Sequence, residues 1–567
     1  MIMKIPSSAW IIFGALSLWF GIENPICYIP GLIFFYPLSL IILGHNASGK
    51  ADALRGGWIL GLLGSSLSLY WLATPIHTIG GLPWLLAFPC AVFVGSFLGF
   101  FSGLFSFFVF CFHHIQFGQK SLMLGLVWYL IEWVKSWVFT GFPWLPFIVG
   151  LARYPVMLQC ASIIGTYALS GLYVAILCLV FYSILYSQSE DIHKCSAKWS
   201  LVSALSVACI LFTGIVLFGY ITLKTNPIDM NIEDGFTIAI VQGNDDQIVK
   251  WNPQTKYRSA QKYVRVSEEL LKSSFRLPGD GNIYYPDVFL WPETVILFDF
   301  KAEIEKGTYN PLTYFVNKYQ IPVIFGAPGI EEVGKDITIF NRLYYYSPGN
   351  CKLASSESNE INKCLQWYDK EHLVPFGEYT PPFFNLPFLS QLLQEVGTYT
   401  PGKKVAPLLF ERKETVKRGS IACCRTISMG VLICYEAIFP ELARKRVAEG
   451  AEVFITVSND SWFGHTIAPV QHLQLAQMRA IEFRRWMARA AVTGISAFID
   501  PYGRITDSTK IFIPTYLVGT IRPIVDNTVF FWLEPWLPAF AILLLCIMSW
   551  KNNLITYCCG YKSRGFL

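Results

Sequence analysis

The chain has 567 residues, of which 53% are hydrophobic, 16% aromatic and only 15% charged. Soluble domains carry roughly 25% charged residues, so this composition excludes an entirely soluble protein, and it also excludes a disordered, collagen-like or coiled-coil chain. The formal net charge of +5 is too small to indicate a nucleic-acid partner.

Apolar runs dominate the first 225 residues, where there are seven of them, and an eighth lies near the C-terminal end. A helix needs about 20 residues to cross the hydrocarbon of a bilayer, and most of these runs approach or exceed that length. The first run could be a signal-peptide core, but no small-residue cleavage pattern follows it, so we count it as a span. We therefore predict a membrane α-helical bundle of about eight transmembrane helices. The predicted spans are 7–22, 26–43, 57–76, 83–112, 121–139, 162–185, 199–223 and 529–550.

The distribution of lysine and arginine predicts the orientation of this bundle, because cationic loops tend to stay in the cytoplasm. One set of alternate segments holds nine of these residues, whereas the opposite short loops hold only Arg153. With eight spans, both termini are expected in the cytoplasm and the long segment after the seventh span outside it.

Residues 225–526 have the composition of a soluble domain in which strand and helix patterns alternate. We predict a layered α/β domain here, between a seven-helix bundle at 1–224 and an eighth helix with a short tail at 527–567. The two clearest helices are expected at 440–449, which has proline in its first turn and glycine after its end, and at 469–487. The predicted strands are 236–241, 288–291, 323–325, 429–433, 453–457 and 497–499.

Two charged residues near the ends of apolar strands are candidates for chemistry. Glu293 follows Pro292 at the carboxyl end of a strand, where a loop would present it at the rim of a sheet. Lys370 lies in a charged cluster around an apolar strand core. Taken alone, a glutamate after a proline is usually a turn residue, and a charge run is usually a solvated face.

Cys434 is the third candidate, because a buried strand delivers it to a strand-to-helix turn. Such a turn resembles a nucleophile elbow, but a buried cysteine can equally be a small hydrophobic residue. A catalytic thiol needs a base, and His372, His465 and His472 have no signature that ties them to Cys434. A carboxylate base with a lysine beside it is an equally coherent solution.

Several motifs together resemble a known family. In chain order, the strongest are Trp291-Pro-Glu293, the Lys370 segment that ends in Leu-Val-Pro-Phe-Gly-Glu378, and Cys434-Tyr-Glu436. With the apolar runs in front and behind, the chain resembles the apolipoprotein N-acyltransferase family, a membrane-bound branch of the nitrilase or carbon-nitrogen hydrolase superfamily. Weaker matches lie at 140–144, 241–244, 459–464 and 500–504.

The resemblance implies an αββα sandwich with a Glu293, Lys370 and Cys434 triad acting as general base, oxyanion support and nucleophile. It implies supporting or substrate-binding roles for four further residues, which are Trp251, Glu378, Tyr435 and Glu436. It implies no metal and no cofactor, since nothing in the chain has metal-ligand spacing.

The implied reaction moves an acyl chain from a phospholipid to the free α-amine of the diacylglyceryl-cysteine of an apolipoprotein, through a thioester. This is the last step of lipoprotein maturation, and it places the catalytic domain on the periplasmic side of a bacterial cytoplasmic (inner) membrane. We expect a multi-pass, membrane-embedded monomer without a nucleic-acid partner. Residues 381–393 could form an apolar lid or simply pack on the sandwich, and Cys351 could pair with Cys364.

Two other classes of function remain open from the residues. A membrane-tethered amidase or nitrilase would share the triad and use water as acceptor. A non-enzymatic envelope scaffold or transporter would use the outer domain for binding, but an intact Glu, Lys and Cys set is hard to reconcile with that.

Overall fold

The computed structural model divides the chain into two compact units. A helical unit comprises Met1–Trp71, Phe88–Thr225 and Thr528–Leu567, and a sheet unit comprises Leu72–Ala87 and Asn226–Asn527. The residues that the structure describes are 5–187, 195–228, 235–245, 256–273, 285–333, 336–348, 364–381, 399–403, 406–413 and 424–558.

The apolar part of the chain folds into α-helices joined by short 3₁₀ segments and turns. Among the described residues, three helices are long and apolar enough to cross a membrane: Trp84–Cys111, Ala161–Leu185 and Val202–Thr225. Lys50–Ser68 and Tyr70–Thr78 form a pair bent by 60° that could make a fourth. In chain order the helices are α1 (Ser7–Gly21), α2 (Phe35–Asn46), α3 (Lys50–Ser68), α4 (Ala73–Thr78), α5 (Trp84–Cys111), α6 (Phe117–Lys135), α7 (Ala161–Ser187) and α8 (Cys195–Thr225).

The predicted eight transmembrane helices are therefore not confirmed. The runs near the N-terminus are broken by irregular backbone, so that α1 has only 15 residues and α2 has 12. A 3₁₀ segment at Pro30–Phe34 takes up the beginning of the second predicted span. The second apolar run therefore overestimates helix length, because this 3₁₀ segment, which begins at Pro30, lies inside it.

The sheet unit contains two six-stranded sheets, with strand orders β12-β1-β2-β3-β4-β5 and β11-β10-β9-β8-β7-β6. Each has a parallel centre, in which β2 lies between β1 and β3, and β8 lies between β7 and β9. The strands are β1 (Phe236–Gln242), β2 (Val288–Leu290), β3 (Val323–Val333), β4 (Asp336–Tyr346), β5 (Leu365–Asp369), β6 (Leu408–Lys413), β7 (Cys424–Ile433), β8 (Val453–Ser458), β9 (Met487–Ala491), β10 (Ala497–Ile499), β11 (Ile505–Ser508) and β12 (Thr515–Ile521).

The two sheets stack face to face between outer layers of helix, which confirms the predicted αββα sandwich. Alternate residues of β1 face opposite ways: Ile238 and Ile240 pack between the sheets, whereas Ala239 and Val241 pack against helices on the outer face. The remaining helices are α9 (Arg258–Lys272), α10 (Phe300–Glu305), α11 (Pro311–Tyr319), α12 (Pro440–Ala448), α13 (Ala468–Phe483), α14 (Val529–Leu533) and α15 (Leu537–Cys558).

The structure confirms the six predicted strands and the helix expected at 440–449, but two strands are much longer than predicted: β3 continues to Val333, and β7 begins at Cys424. The helix expected at 469–487 is wrong at its end, because α13 stops at Phe483. Arg484 adopts a left-handed backbone conformation with a φ of 50°, which ends the helix, and Met487 already belongs to β9.

Gly326 in β3 holds the turn that follows β2. Its N–H donates to Pro292 O at 3.0 Å, and its carbonyl accepts from Val295 N at 3.0 Å and from Ile296 N at 3.1 Å. A Cβ atom at Gly326 would overlap Thr294 N and lie 2.7 Å from Glu293 Cα. Only glycine therefore lets the turn approach β3 this closely.

We predict that Gly326→Ala destabilises the sheet unit by about 1–3 kcal/mol, because the added methyl group overpacks against backbone that cannot rotate away. Thermal unfolding in detergent measures this change. Gly118→Ala is the control, since a Cβ atom there meets nothing within 4 Å. Equal unfolding temperatures for the two variants would contradict the constraint at Gly326.

Candidate active site

Three strand ends bring Glu293, Lys370 and Cys434 to one site in the sheet unit. Glu293 lies three residues after the end of β2, while Lys370 and Cys434 directly follow β5 and β7. Glu293 is 5% exposed and Lys370 is 1% exposed, so both charges are withdrawn from solvent. Two buried charges on neighbouring side chains are stable only when they are paired.

Lys370 lies between two carboxylates. Its Nζ donates to Glu378 at 2.9 Å and forms an ion pair with Glu293 Oε1 at 3.6 Å. Asn341 Nδ2 donates to Glu293 Oε1 and to Glu378 Oε1, at 2.7 Å in each case. The other carboxylate oxygen of Glu293 accepts from the backbone N–H of Asn459, and that of Glu378 accepts from the backbone N–H of Val374, at 2.8 Å in each case.

The electrostatic consequence for Lys370 is a fixed positive charge. Burial by itself would lower the pKa of the Lys370 ammonium, but Glu378 and Glu293 outweigh that effect and raise it above its ordinary value. The raised pKa favours a protonated Lys370, which acts as a hydrogen-bond donor rather than as a base.

Cys434 occupies a strained turn. Its φ of 51° lies in the left-handed region, which costs a residue with a side chain roughly 1–2 kcal/mol. Ser458 Oγ lies 3.5 Å from Cys434 Sγ. Strain of this kind at the end of a buried strand is the backbone geometry of a nucleophile elbow.

The Cys434 thiol is neutral at rest. Burial and the nearby charge of Glu293 raise its pKa to about 12, and the opposing charge of Lys370 does not offset them. A nucleophilic reaction of this thiol therefore requires a base in contact with it, and Glu293 is a carboxylate that acts electrostatically on Cys434.

Glu436 ties the backbone before the elbow to residues at the end of β5. Its Oε2 accepts from Ile433 N at 2.8 Å, and its Oε1 accepts from Tyr368 OH at 2.7 Å and from Glu371 N at 2.8 Å. Tyr435 is 5% exposed, and its ring packs edge-on against Phe439 at 5.1 Å. These contacts support the elbow without contacting the thiol.

A buried cluster of His472, Asp460 and Arg489, which the sequence analysis did not predict, contacts the backbone of Cys434. His472 Nε2 is 3.0 Å from the carbonyl oxygen of Cys434. His472 Nδ1 is 3.2 Å from Asp460 Oδ1 and 3.1 Å from Arg489 Nη2, and Arg489 Nη2 donates to Asp460 Oδ2 at 3.0 Å. No spacing in the chain signals this group, because its members come from α13, from β9 and from the loop after β8.

Some predicted features fall on residues that the structure does not describe. Trp251 and residues 382–398, which include most of the predicted lid, lie outside the described residues. Cys364 is disulfide-bonded, while its predicted partner Cys351 also lies outside them. The described part of the chain holds no group of three or more His, Cys, Asp or Glu side chains that could bind a metal ion.

Comparison with known proteins identifies two family domains. The carbon-nitrogen hydrolase family matches residues 237–523, and the N-terminal domain of apolipoprotein N-acyltransferases matches residues 14–180. Similar proteins named apolipoprotein N-acyltransferase include that of Geobacter metallireducens, 29% identical over 86% of this chain and 84% of its own. That of Rickettsia prowazekii is 26% identical over 94% of this chain and 95% of its own.

Among solved structures, this chain is similar to an amidase of the nitrilase superfamily from Nesterenkonia. The two are 16% identical with a TM-score of 0.32, over 52% of this chain and 92% of the amidase. Nit3 of Saccharomyces cerevisiae is 18% identical with a TM-score of 0.33, over 53% of this chain and 94% of its own.

We predict that alkylation of Cys434 by iodoacetamide accelerates about tenfold for each pH unit from 7 to 10 without a plateau, because only the thiolate reacts. The rate rises with pH because burial and Glu293 raise the pKa of the Cys434 thiol, so the thiolate population still grows at pH 10. Mass spectrometry of the Cys434 peptide after short pulses measures the rate. A plateau reached near pH 7 would show that the resting group is already a thiolate.

Proposed function

The chain belongs to the carbon-nitrogen hydrolase family, in its apolipoprotein N-acyltransferase branch, and on this premise we propose that it transfers an acyl chain from a phospholipid to the α-amine of a diacylglyceryl-cysteine at the N-terminus of an apolipoprotein. The observation that carries this proposal is the buried cluster of Glu293, Lys370 and the elbow residue Cys434. A carboxylate beside a neutral thiol, with a fixed cation next to both, suits acyl transfer through a covalent intermediate.

The first half-reaction forms a thioester. Cys434 Sγ attacks the ester carbonyl of the phospholipid while Glu293 removes the thiol proton, so the S–C bond forms as negative charge develops on the carbonyl oxygen. Collapse of this tetrahedral intermediate breaks the C–O bond, and the proton on Glu293 passes to the leaving alkoxide. The product is a lysophospholipid.

The second half-reaction transfers the acyl chain to the lipoprotein. The free α-amine attacks the thioester carbonyl, the N–C bond forms, and Glu293 takes a proton from the nitrogen. The C–S bond then breaks, and this proton returns to the Cys434 thiolate. The same base serves both steps, so the cycle ends with the starting protonation state and needs no cofactor.

We propose that two groups stabilise the oxyanion in both steps. One is the positive charge of Lys370, which interacts electrostatically with Cys434. The N–H of Tyr435, the residue after the nucleophile, is the expected backbone donor at an elbow of this type.

We further propose that the sheet unit lies on the periplasmic side of a bacterial inner membrane, with both termini in the cytoplasm. The excess of lysine and arginine on one set of segments supports this orientation. Among the described residues, the three long apolar helices, or four if the bent pair is one span, support a protein that crosses the membrane several times. The number of eight spans is part of the proposal. Both substrates are lipids of the outer leaflet, which such a site would face.

A membrane-tethered hydrolase is the second candidate, because the amidases of the nitrilase superfamily share this fold and use water as acceptor. The match of the N-terminal domain of apolipoprotein N-acyltransferases to residues 14–180 favours the transferase. The choice of acceptor separates the two functions by experiment.

We predict that the purified protein, mixed with phospholipid in detergent, gains the mass of one acyl chain at Cys434, and that hydroxylamine removes it. Cys434→Ser is the control and should show no hydroxylamine-sensitive adduct. Addition of a diacylglyceryl peptide with a free α-amine should discharge the thioester and yield the N-acylated peptide. Intact-mass spectrometry follows both steps.

The acceptor decides between the candidates. The same peptide with an acetylated amine should leave the thioester intact, because the lone pair of an amide nitrogen is delocalised into its carbonyl and cannot attack the thioester. A thioester that water discharges as fast as the free amine would assign the protein to the hydrolases. No adduct on the wild-type protein would contradict covalent catalysis altogether.

A further inference from the structure

We propose that His472 is a positioning residue for the oxyanion site, acting through the peptide bond that joins Cys434 to Tyr435. This inference rests on the proposed acyl transfer, and it adds a role that neither the triad nor its supporting glutamates supply. It follows from the 3.0 Å contact between His472 Nε2 and the carbonyl oxygen of Cys434.

The proton on His472 can be assigned from its partners. A carbonyl oxygen can only accept, so Nε2 must carry the hydrogen that it shares with Cys434. Nδ1 faces both a donor, Arg489 Nη2 at 3.1 Å, and an acceptor, Asp460 Oδ1 at 3.2 Å, and Nε2 carries its hydrogen whichever of the two Nδ1 bonds. Burial and the charge of Arg489 also lower the pKa of His472, which agrees with a neutral imidazole.

The ring is held in place by charges that are themselves paired. Asp460, His472 and Arg489 are each at most 1% exposed. Asp460 accepts from Arg489 at 3.0 Å and from Ser458 Oγ, and Ser458 Oγ in turn lies 3.5 Å from Cys434 Sγ. One buried network thus reaches the elbow twice, at its carbonyl and at its sulfur.

The geometry of a peptide bond transmits this contact to the reacting carbonyl. The C=O of Cys434 and the N–H of Tyr435 belong to one planar trans unit and point in opposite directions. Fixing the carbonyl oxygen on His472 therefore fixes the direction of the N–H. Donation to the carbonyl also polarises the peptide, which makes its N–H a stronger donor to an oxyanion.

The left-handed backbone of Cys434 gives this contact its importance. A φ of 51° is unfavourable for cysteine, so the elbow peptide would relax towards an ordinary conformation unless its ends are held. Glu436 holds Ile433 N on one side of Cys434, and His472 holds the carbonyl on the other. Only the second contact acts on the peptide that donates to the oxyanion.

The test compares variants of the full-length protein in detergent with phospholipid carrying a ¹³C-labelled acyl carbonyl. For His472→Ala we expect thioester formation about 10- to 100-fold slower, with the half-saturating phospholipid concentration unchanged, because an oxyanion contact is made only in the transition state. In the accumulated thioester, the infrared carbonyl stretch should move to higher wavenumber, since the Tyr435 N–H no longer polarises that carbonyl.

Two further variants separate positioning from simple loss of a buried side chain. His472→Gln, whose amide nitrogen can donate to the Cys434 carbonyl, should recover most of the rate and the infrared shift. Gln477→Ala is the matched control, because Gln477 is also buried on α13 and its Nε2 donates to a distant carbonyl, that of Gly503, at 2.9 Å. It should leave both readouts unchanged.

Several results would overturn the proposal. One is an unchanged infrared carbonyl stretch in His472→Ala. Another is a loss of rate in Gln477→Ala as large as that in His472→Ala. A third is a higher half-saturating phospholipid concentration in His472→Ala with an unchanged maximal rate. If His472→Ala does not fold, His472→Leu, which fills the space without a donor, takes its place in the same comparison. A wild-type protein that forms no thioester would instead reject the proposed acyl transfer.

Discussion

The site depends on one buried lysine between two carboxylates. Lys370 pairs with both Glu293 and Glu378, and without it two like charges bridged by the same Asn341 amide would face each other in a medium of low dielectric constant. The lysine thus offsets the repulsion between the two carboxylates, one of which is the proposed general base.

The fold supplies the precision that this arrangement needs. Glu293 is held by Asn341 and by the backbone of Asn459, and its turn is packed against Gly326 too closely for any side chain there. Cys434 is held in a strained turn by contacts on both sides. A neutral thiol with a raised pKa is unreactive until substrate and base are aligned, which agrees with the proposed role of a base in contact with Cys434.

The alternation of short apolar runs with helical stretches predicted a layered α/β domain, and the position of Glu293, Lys370 and Cys434 near strand ends made them candidates. The αββα sandwich and the grouping of the three residues as a triad came from the family resemblance. The sequence could not predict the group of Asp460, His472 and Arg489, whose members meet only through stacking of α13 on the second sheet. No feature of the sequence distinguished His472 from a structural histidine on a helix. Strands such as β11, which is mostly exposed, carry no apolar signal, and the end of α13 depends on the backbone of Arg484 rather than on periodicity.

Because Lys370 lies between Glu293 and Glu378, we infer that Glu378 acts on catalysis through Lys370. A double-mutant cycle compares the rates of thioester formation of the wild type, Lys370→Met, Glu378→Gln and the double variant. We expect the double variant to be no slower than Lys370→Met, because removing Glu378 then also removes the like charge that faces Glu293. Losses that multiply across the two substitutions would show that Glu378 acts independently of Lys370, and they would contradict this inference.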